Sequence, residues 1–119
     1  YLKQALEISV NIQDRHGQAS YLHNLGAVSK EAGELDQSID YFTQALSIRK
    51  EIQDYAGIKE TLYHLALIWE ELGKVHDAIE LLKEVVNLDE EFNYPTLNRD
   101  SQALSLFSKK YIDETNKNT

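Results

Sequence analysis

The chain has 119 residues, 42% hydrophobic and 27% charged, which is enough apolar material for one folded domain with a buried core. Its formal net charge of −8 argues against nucleic-acid binding, which needs a basic surface, and favours partners with basic residues. The absence of cysteine excludes disulfides and thiol chemistry and favours a cytoplasmic location, and no apolar run reaches membrane-spanning length.

The most informative feature is an internal repeat with a period of forty residues. Many positions keep their residue type after one period, among them Tyr1, Gln4, Ala5, Leu6, Ile8, Ile12, Gln13, Asp14, Gly17, Leu22, Leu25, Glu31, Gly33 and Ile39, which recur as Tyr41, Gln44, Ala45, Leu46, Ile48, Ile52, Gln53, Asp54, Gly57, Leu62, Leu65, Glu71, Gly73 and Ile79. A fixed period of this size is typical of repeat proteins, in which each unit buries its apolar face against its neighbours.

Helical periodicity of apolar residues divides the chain into segments joined by short connections. The predicted helices cover residues 1–13, 15–31, 37–53, 55–72 and 76–92. Asp14, Asp36 and Asp54 stand where a helix N-cap needs a side-chain oxygen. Gly33 and Gly73 stand where a left-handed C-terminal cap favours glycine. Because the connections are short, consecutive helices are expected to be antiparallel.

Each predicted helix has one face directed toward the core. These faces consist of Leu2, Ala5, Leu6, Ile12; Leu22, Leu25, Gly26, Ser29, Ala32; Ile39, Phe42, Ala45, Leu46, Ile52; Leu62, Leu65, Ala66, Trp69, Leu72; and Ile79, Leu82, Val85, Val86. Trp69 lies on this face, so we expect it to be a core residue and not a ligand platform.

The third unit departs from the pattern. Residues 95–112 begin with Pro95, which suits the first turn of a helix, and Leu97, Leu104, Phe107 and Tyr111 fall on one side. The remaining positions are polar, as a terminal capping helix requires. We therefore predict a capping helix over residues 95–112 and a disordered tail over residues 113–119.

The arrangement Leu22-x2-Leu25-Gly26, followed by Gly33, Phe42 and Ala45, resembles the tetratricopeptide repeat signature, and a second copy runs from Leu62 to Val85. The first tryptophan of that signature is leucine here, and no proline closes the repeats. The forty-residue period resembles the long repeats of kinesin light chains, mitotic-spindle orientation proteins and many bacterial regulators. The resemblance implies an all-α, right-handed superhelix of antiparallel helix pairs: residues 1–13, 14–53, 54–92 and the cap together form one domain, 1–112.

In the resembled family, residues opposite the buried stripe of each leading helix line a peptide-binding groove. The matching positions here are Ser20, His23, Asn24, Ala27, Lys30, Glu31, Glu60, Tyr63, His64, Leu67, Glu70 and Glu71. Tyr63 and Leu67 would supply apolar contact, the histidines and Asn24 hydrogen bonds, and the glutamates charge for basic ligand residues. The alternative is that all are merely solvated helix-face residues.

Other kinds of site find little support. A carboxylate clamp would need Lys and Asn on successive leading helices, where His23, Ala27 and His64 stand instead. Two histidines without a third ligand do not predict a metal site. Adjacent carboxylates such as Glu70 and Glu71 point in different directions on a helix, so we expect no catalysis and no cofactor.

The sequence predicts a non-catalytic protein–protein interaction module, and we interpret it as a fragment because residue 1 falls inside a second helix of a repeat. Leu2 and Leu6 would expose an apolar stripe there, which predicts a homodimer or a swapped helix. Two alternatives remain open: a sensor or regulatory arm of a bacterial-type regulator, and a purely structural assembly segment.

Overall fold

The computed structural model describes residues 14–117, which form five α-helices and no strand. We number them in chain order: α1 Arg15–Glu31, α2 Leu35–Glu51, α3 Tyr55–Glu71, α4 Val75–Phe92 and α5 Leu97–Lys117. The chain divides into two compact units, Tyr1–Thr61 and Leu62–Thr119, with the boundary inside α3. The all-α prediction is confirmed, whereas the predicted helix over residues 1–13, with Leu2 and Leu6, lies outside the described residues.

The helix starts differ from the predicted caps in two of three cases. Asp54 caps α3 as expected, because its Oδ1 accepts the backbone N–H of Gly57 at 3.0 Å. Asp14 precedes α1 but makes no side-chain capping hydrogen bond. Asp36 is expected to precede its helix, but α2 already starts at Leu35, so this carboxylate lies in the first turn. Its negative charge there interacts favourably with the positive end of the helix dipole.

The ends of α1 and α3 confirm the predicted glycine caps. Gly33 and Gly73 have φ of +81° and +82°, and the amide after each reaches back five residues: Glu34 N–H to Ser29 O at 2.9 Å and Lys74 N–H to Trp69 O at 2.8 Å. The end of α2 has the same hydrogen bonds but a glutamine at the left-handed position, Gln53 with φ +58°. The repeat geometry is therefore kept even where the residue is unfavourable for it.

In the first unit the core lies between α1 and α2, which pack along each other and are joined by residues 32–34. One cluster consists of Ala19, Leu22, Ala45 and Ile48, with Tyr41 packed against it. Beside it, the fully buried Phe42 ring lies on Gly26 so closely that a Cβ at Gly26 would stand 3.0 Å from the ring carbons. The glycine of the motif thus makes room for the aromatic ring.

In the second unit the corresponding cluster is Ala66, Ala78 and Leu82, which joins the second half of α3 to α4. Partly buried side chains cover this cluster: Tyr63, Trp69, Leu81, Ala103, Leu104 and Phe107. Leu104 and Phe107 of α5 therefore pack on the core as predicted. Trp69 is half-buried, with Lys74 Nζ 5.5 Å from its ring centroid.

Three residues predicted to face the core are exposed. Ala32 and Leu72 lie in the turns after α1 and α3, where the helical periodicity used to place them no longer holds, and Leu72 is 41% exposed. Tyr111 is 40% exposed, and its ring lies beside the ring of His76 of α4, with 5.5 Å between the centroids. Conversely, the apolar pattern missed a set of buried polar side chains, which are Ser38, Arg49, Lys59, Thr61, Asp89 and Asp100.

The last helix is longer than predicted. It continues to Lys117, so residues 113–117 are helical and do not belong to the predicted disordered tail. Residues 118 and 119 lie outside the described part of the chain. Among the helices over residues 14–117, none combines the length and the apolar content needed to cross a membrane.

Candidate peptide-binding surface

The twelve residues predicted to line a groove fall into one set in each unit. The first strip, in the first unit, consists of Ser20, His23, Asn24, Ala27, Lys30, Glu31 and Glu60. The second strip, in the second unit, consists of Tyr63, His64, Leu67, Glu70 and Glu71. All twelve are half-buried or exposed, and none is buried in the core.

His23 of the first strip is held by the interior and is not a free surface group. Arg49 Nη1 lies 3.2 Å from His23 Nδ1, and because a guanidinium only donates, the histidine nitrogen is the acceptor. The His23 ring also meets the Phe42 ring edge-on, with 5.0 Å between centroids. Its orientation on the surface is therefore fixed by two residues of α2.

Arg49 is the most unusual buried residue of the first unit, with 7% of its surface exposed. Its Nη1 also donates to the carbonyl oxygen of Gly57 at 3.1 Å and to Thr61 Oγ1 at 2.7 Å, which links α2 to the first turns of α3. Three acceptors thus share the two protons of Nη1, whereas Nε of Arg49 is buried without a hydrogen-bond partner. The apolar pattern missed this residue because it marks only hydrophobic positions.

The rest of the first strip is more open. Asn24, Glu31 and Glu60 are exposed, whereas Ser20 donates to the carbonyl of His16 at 3.2 Å within its own helix. A carboxylate oxygen of Glu60 lies within 4.8 Å of a ring nitrogen of His23. Within this unit these two ligands stand beside the Arg49 cation, which repels metal ions, so we derive no metal site there.

In the second strip, α5 covers part of the predicted surface. The Arg99 guanidinium lies over the Tyr63 ring, 4.5 Å from its centroid, as in a cation–π contact. Arg99 Nε donates to the buried Asp100 Oδ1 at 2.8 Å, and this hydrogen bond raises the pKa of Arg99. Tyr63 also packs against the Ala66 cluster, so it is partly a structural residue and less available to a ligand than the sequence suggested.

A second bond joins the strip to α5 at its other end. Lys110 Nζ donates to Glu70 Oε1, and this hydrogen bond raises the pKa of Lys110. Lys110 stands forty residues after Glu70 in the sequence. The forty-residue period does not identify the surface of α5, because Phe107, forty residues after the predicted surface residue Leu67, packs on the core instead.

Next to the Glu70–Lys110 pair lies an open cleft of about 570 Å³. Its lining combines two apolar side chains with charges of both signs: Glu70, Leu106, Phe107, Lys109, Lys110, Asp113 and Glu114. Such a lining suits recognition of a side chain or peptide.

Comparison with known proteins supports the same class of fold. The chain is similar in structure to BtubC (BKLC) from P. vanneervenii, with a TM-score of 0.81 and 16% identity, over 94% of this chain and 47% of that one. It is also similar to a Podosopora anserina protein described as a kinesin light chain with nearly identical TPR-like repeats, with a TM-score of 0.72 and 18% identity, over 89% and 54%. At these identities the likeness concerns the fold alone, and the chain spans about half the length of either protein.

No curated protein sequence matches the chain. The sequence model of the tetratricopeptide repeat family matches residues 1–51 and 18–91, which together span most of the chain. Repeats of this family generally mediate protein–protein interaction and are generally non-catalytic. With its forty-residue helix pairs and its glycine-capped leading helices, the chain belongs to the tetratricopeptide repeat family.

Proposed function

We propose that the chain is a non-catalytic recognition module whose leading helices, α1 in the first unit and α3 in the second, each present a strip that binds partner protein. The observation that carries this proposal is the chemistry of α1 and α3 on the side not used by the core. There the helices present a mixture of imidazole, amide, aliphatic and carboxylate groups, half-buried or exposed, as an adaptable protein-binding surface does. A merely solvated face needs no histidine oriented by a buried arginine.

The favoured partner segment is basic. The chain carries a net charge of −8, and Glu31, Glu60 and Glu71 are exposed on the strips. Exposed carboxylates contribute mainly to steering and specificity, because water screens them, so we expect affinity for the partner to fall with salt. The absence of cysteine supports a cytoplasmic location. The homodimer through Leu2 and Leu6 stays a prediction, to be measured by light scattering at high protein concentration.

The test starts from peptides selected on the immobilised chain from a random phage-displayed library. Their affinities are then measured for a strip variant, Glu60→Lys with Glu71→Lys, and for a control variant, Asp40→Lys with Glu84→Lys. All four residues are exposed, and both variants change the net charge equally, but the control residues lie on the second helices α2 and α4. We expect the strip variant to lose at least about tenfold in affinity, which corresponds to about 1.4 kcal/mol, and the control to keep it.

An equal loss in both variants would show general electrostatic attraction in place of a site. If the library yields no peptide above background, the recognition role is wrong and a structural assembly role is favoured. Alanine at Tyr63 is a poor probe, since this ring packs against the core and under Arg99 and its removal also lowers stability.

A further inference from the structure

We propose that the cleft beside the Glu70–Lys110 pair binds a large apolar side chain flanked by lysine or arginine on a partner segment. This inference rests on the proposed recognition function and names the chemistry that one part of the surface selects. The cleft of about 570 Å³ lies entirely in the second unit, between the end of α3 and the second half of α5.

The apolar part of the cleft comes from two adjacent residues of α5. Phe107 packs on the Ala66 cluster and is half-buried, so it forms a fixed floor. Leu106 is 66% exposed, which is the largest exposed fraction among the big apolar side chains of the described residues. The cleft is open to solvent, and its volume of about 570 Å³ leaves room for one large side chain against Phe107.

Leu106 lies outside the core-facing side of α5. The α5 residues that pack on the Ala66 cluster are Ala103, Leu104 and Phe107, whereas Leu106 is not among them and is 66% exposed. The capping role predicted for α5 favours polar residues on its exposed side, so an exposed leucine next to the Phe107 floor is a candidate contact for a partner.

The charge of the cleft decides the flanking residues. Glu70 and Lys110 bond to each other, so their charges cancel. The remaining charged side chains are Lys109, Asp113 and Glu114, all exposed, so carboxylates outnumber ammonium groups by two to one. Within a chain of net charge −8, this favours basic residues next to the apolar anchor.

The length of α5 is the second feature specific to this helix. The leading helices α1 and α3 have 17 residues each, whereas α5 has 21 and ends at Lys117. Asp113 and Glu114 lie in the last two turns of α5. The carboxylates thus stand on a helix that holds them beside Leu106 and Phe107.

The experiment titrates the ¹⁵N-labelled chain with three synthetic peptides and follows backbone amide shifts. The first carries one phenylalanine between lysines, the second replaces the lysines with glutamates, and the third replaces the phenylalanine with alanine. We expect the first to shift amides at Leu106, Lys109, Asp113 and Glu114, with an affinity at least about tenfold above either other peptide at low salt. The ratio between the affinities of the lysine peptide and the glutamate peptide should become smaller at about 0.5 M salt, because salt screens the charges.

Two variants localise the effect. Asp113→Lys with Glu114→Lys should abolish the preference for lysine, whereas Glu90→Lys with Glu91→Lys, an exposed pair on α4 with the same charge change, should keep it. Leu106→Gln should remove the preference for phenylalanine over alanine. Equal binding of the lysine and glutamate peptides, or shifts confined to other helices, would overturn the inference.

The outcome is separable from that of the recognition function. In one outcome, library-selected peptides bind the strips, the cleft variants leave their affinities unchanged, and the phenylalanine–lysine peptide does not bind. The recognition function then stands and the cleft assignment fails. If neither the selected peptides nor the designed peptide binds, both proposals fail.

Discussion

The contact between Gly26 and Phe42 gives the sharpest test of how the helix pairs pack. In the first repeat a glycine faces a phenylalanine, whereas forty residues later an alanine, Ala66, faces a leucine, Leu82. From the first repeat to the second, the residue on the leading helix gains a methyl group, and the side chain that faces it becomes smaller by part of a ring. Introducing Ala at Gly26 would place its Cβ 3.0 Å from three carbons of the fully buried Phe42 ring.

The expected magnitudes follow from this geometry. Overpacking a core costs about 1–3 kcal/mol, and replacing a helical glycine by alanine returns about 1 kcal/mol, so Gly26→Ala should destabilise by about 0–2 kcal/mol. Phe42→Leu removes buried atoms and leaves a void, with an expected cost of about 1–2 kcal/mol. In the double variant the new methyl group enters that void, so the pair should be about 1 kcal/mol more stable than the sum of the single costs.

Urea unfolding followed by circular dichroism of the two single variants and the double variant measures this coupling. Each variant should unfold cooperatively with the slope of the parent chain, so that midpoints can be compared. Additive costs within about 0.3–0.5 kcal/mol would refute the reasoning, because the two positions would then not share one packing space.

Four further substitutions test the caps and the buried polar groups. Gln53→Gly should raise the free energy of unfolding by about 0.5–1 kcal/mol. The left-handed conformation costs about 1–2 kcal/mol for a residue with a Cβ, and the greater entropy that glycine loses on folding offsets about 0.5–1 kcal/mol of this gain. Gly33→Ala should lower the free energy of unfolding by a similar amount. Thermal unfolding measures both changes in stability, and a lower melting temperature for Gln53→Gly would contradict the cap assignment. Arg49→Ala should destabilise by about 1–3 kcal/mol because the buried Thr61 Oγ1 loses the guanidinium donor, whereas an unchanged urea midpoint would mean that water replaces the guanidinium. Ser38→Ala should lower the free energy of unfolding by about 0.5–1.5 kcal/mol, because the 2.7 Å hydrogen bond from Ser38 Oγ to the carbonyl of Gly26 is lost. The same urea assay measures this change, and an unchanged midpoint would contradict the prediction.

The sequence was sufficient to predict the helices and their period, because both depend on local patterns. Apolar spacing located the helices to within a few residues, and Gly33 and Gly73 marked two helix ends that need a left-handed residue. The same pattern failed at Ala32 and Leu72, because these residues follow the helix end and no longer share its face. Gln53 was invisible to this reasoning, since nothing local favours a glutamine in that conformation.

The surface was less predictable than the fold. Which side of a helix faces solvent follows from periodicity, but which polar side chains pair with each other depends on neighbouring helices. Arg49 reaching His23, and Lys110 reaching Glu70, are contacts between residues 26 and 40 positions apart. They remove part of the predicted surface and add residues of α5 to it, which only the packed structure could reveal.

We propose above all that the leading helices, and not the second helices, present the binding surface. The most direct measurement is the set of backbone amide shifts that a library-selected peptide produces in the ¹⁵N-labelled chain. We predict shifts on the exposed sides of α1, α3 and α5, at residues such as Asn24, Glu71 and Leu106. Shifts confined to the exposed faces of α2 and α4, around Asp40 and Glu84, would contradict the claim.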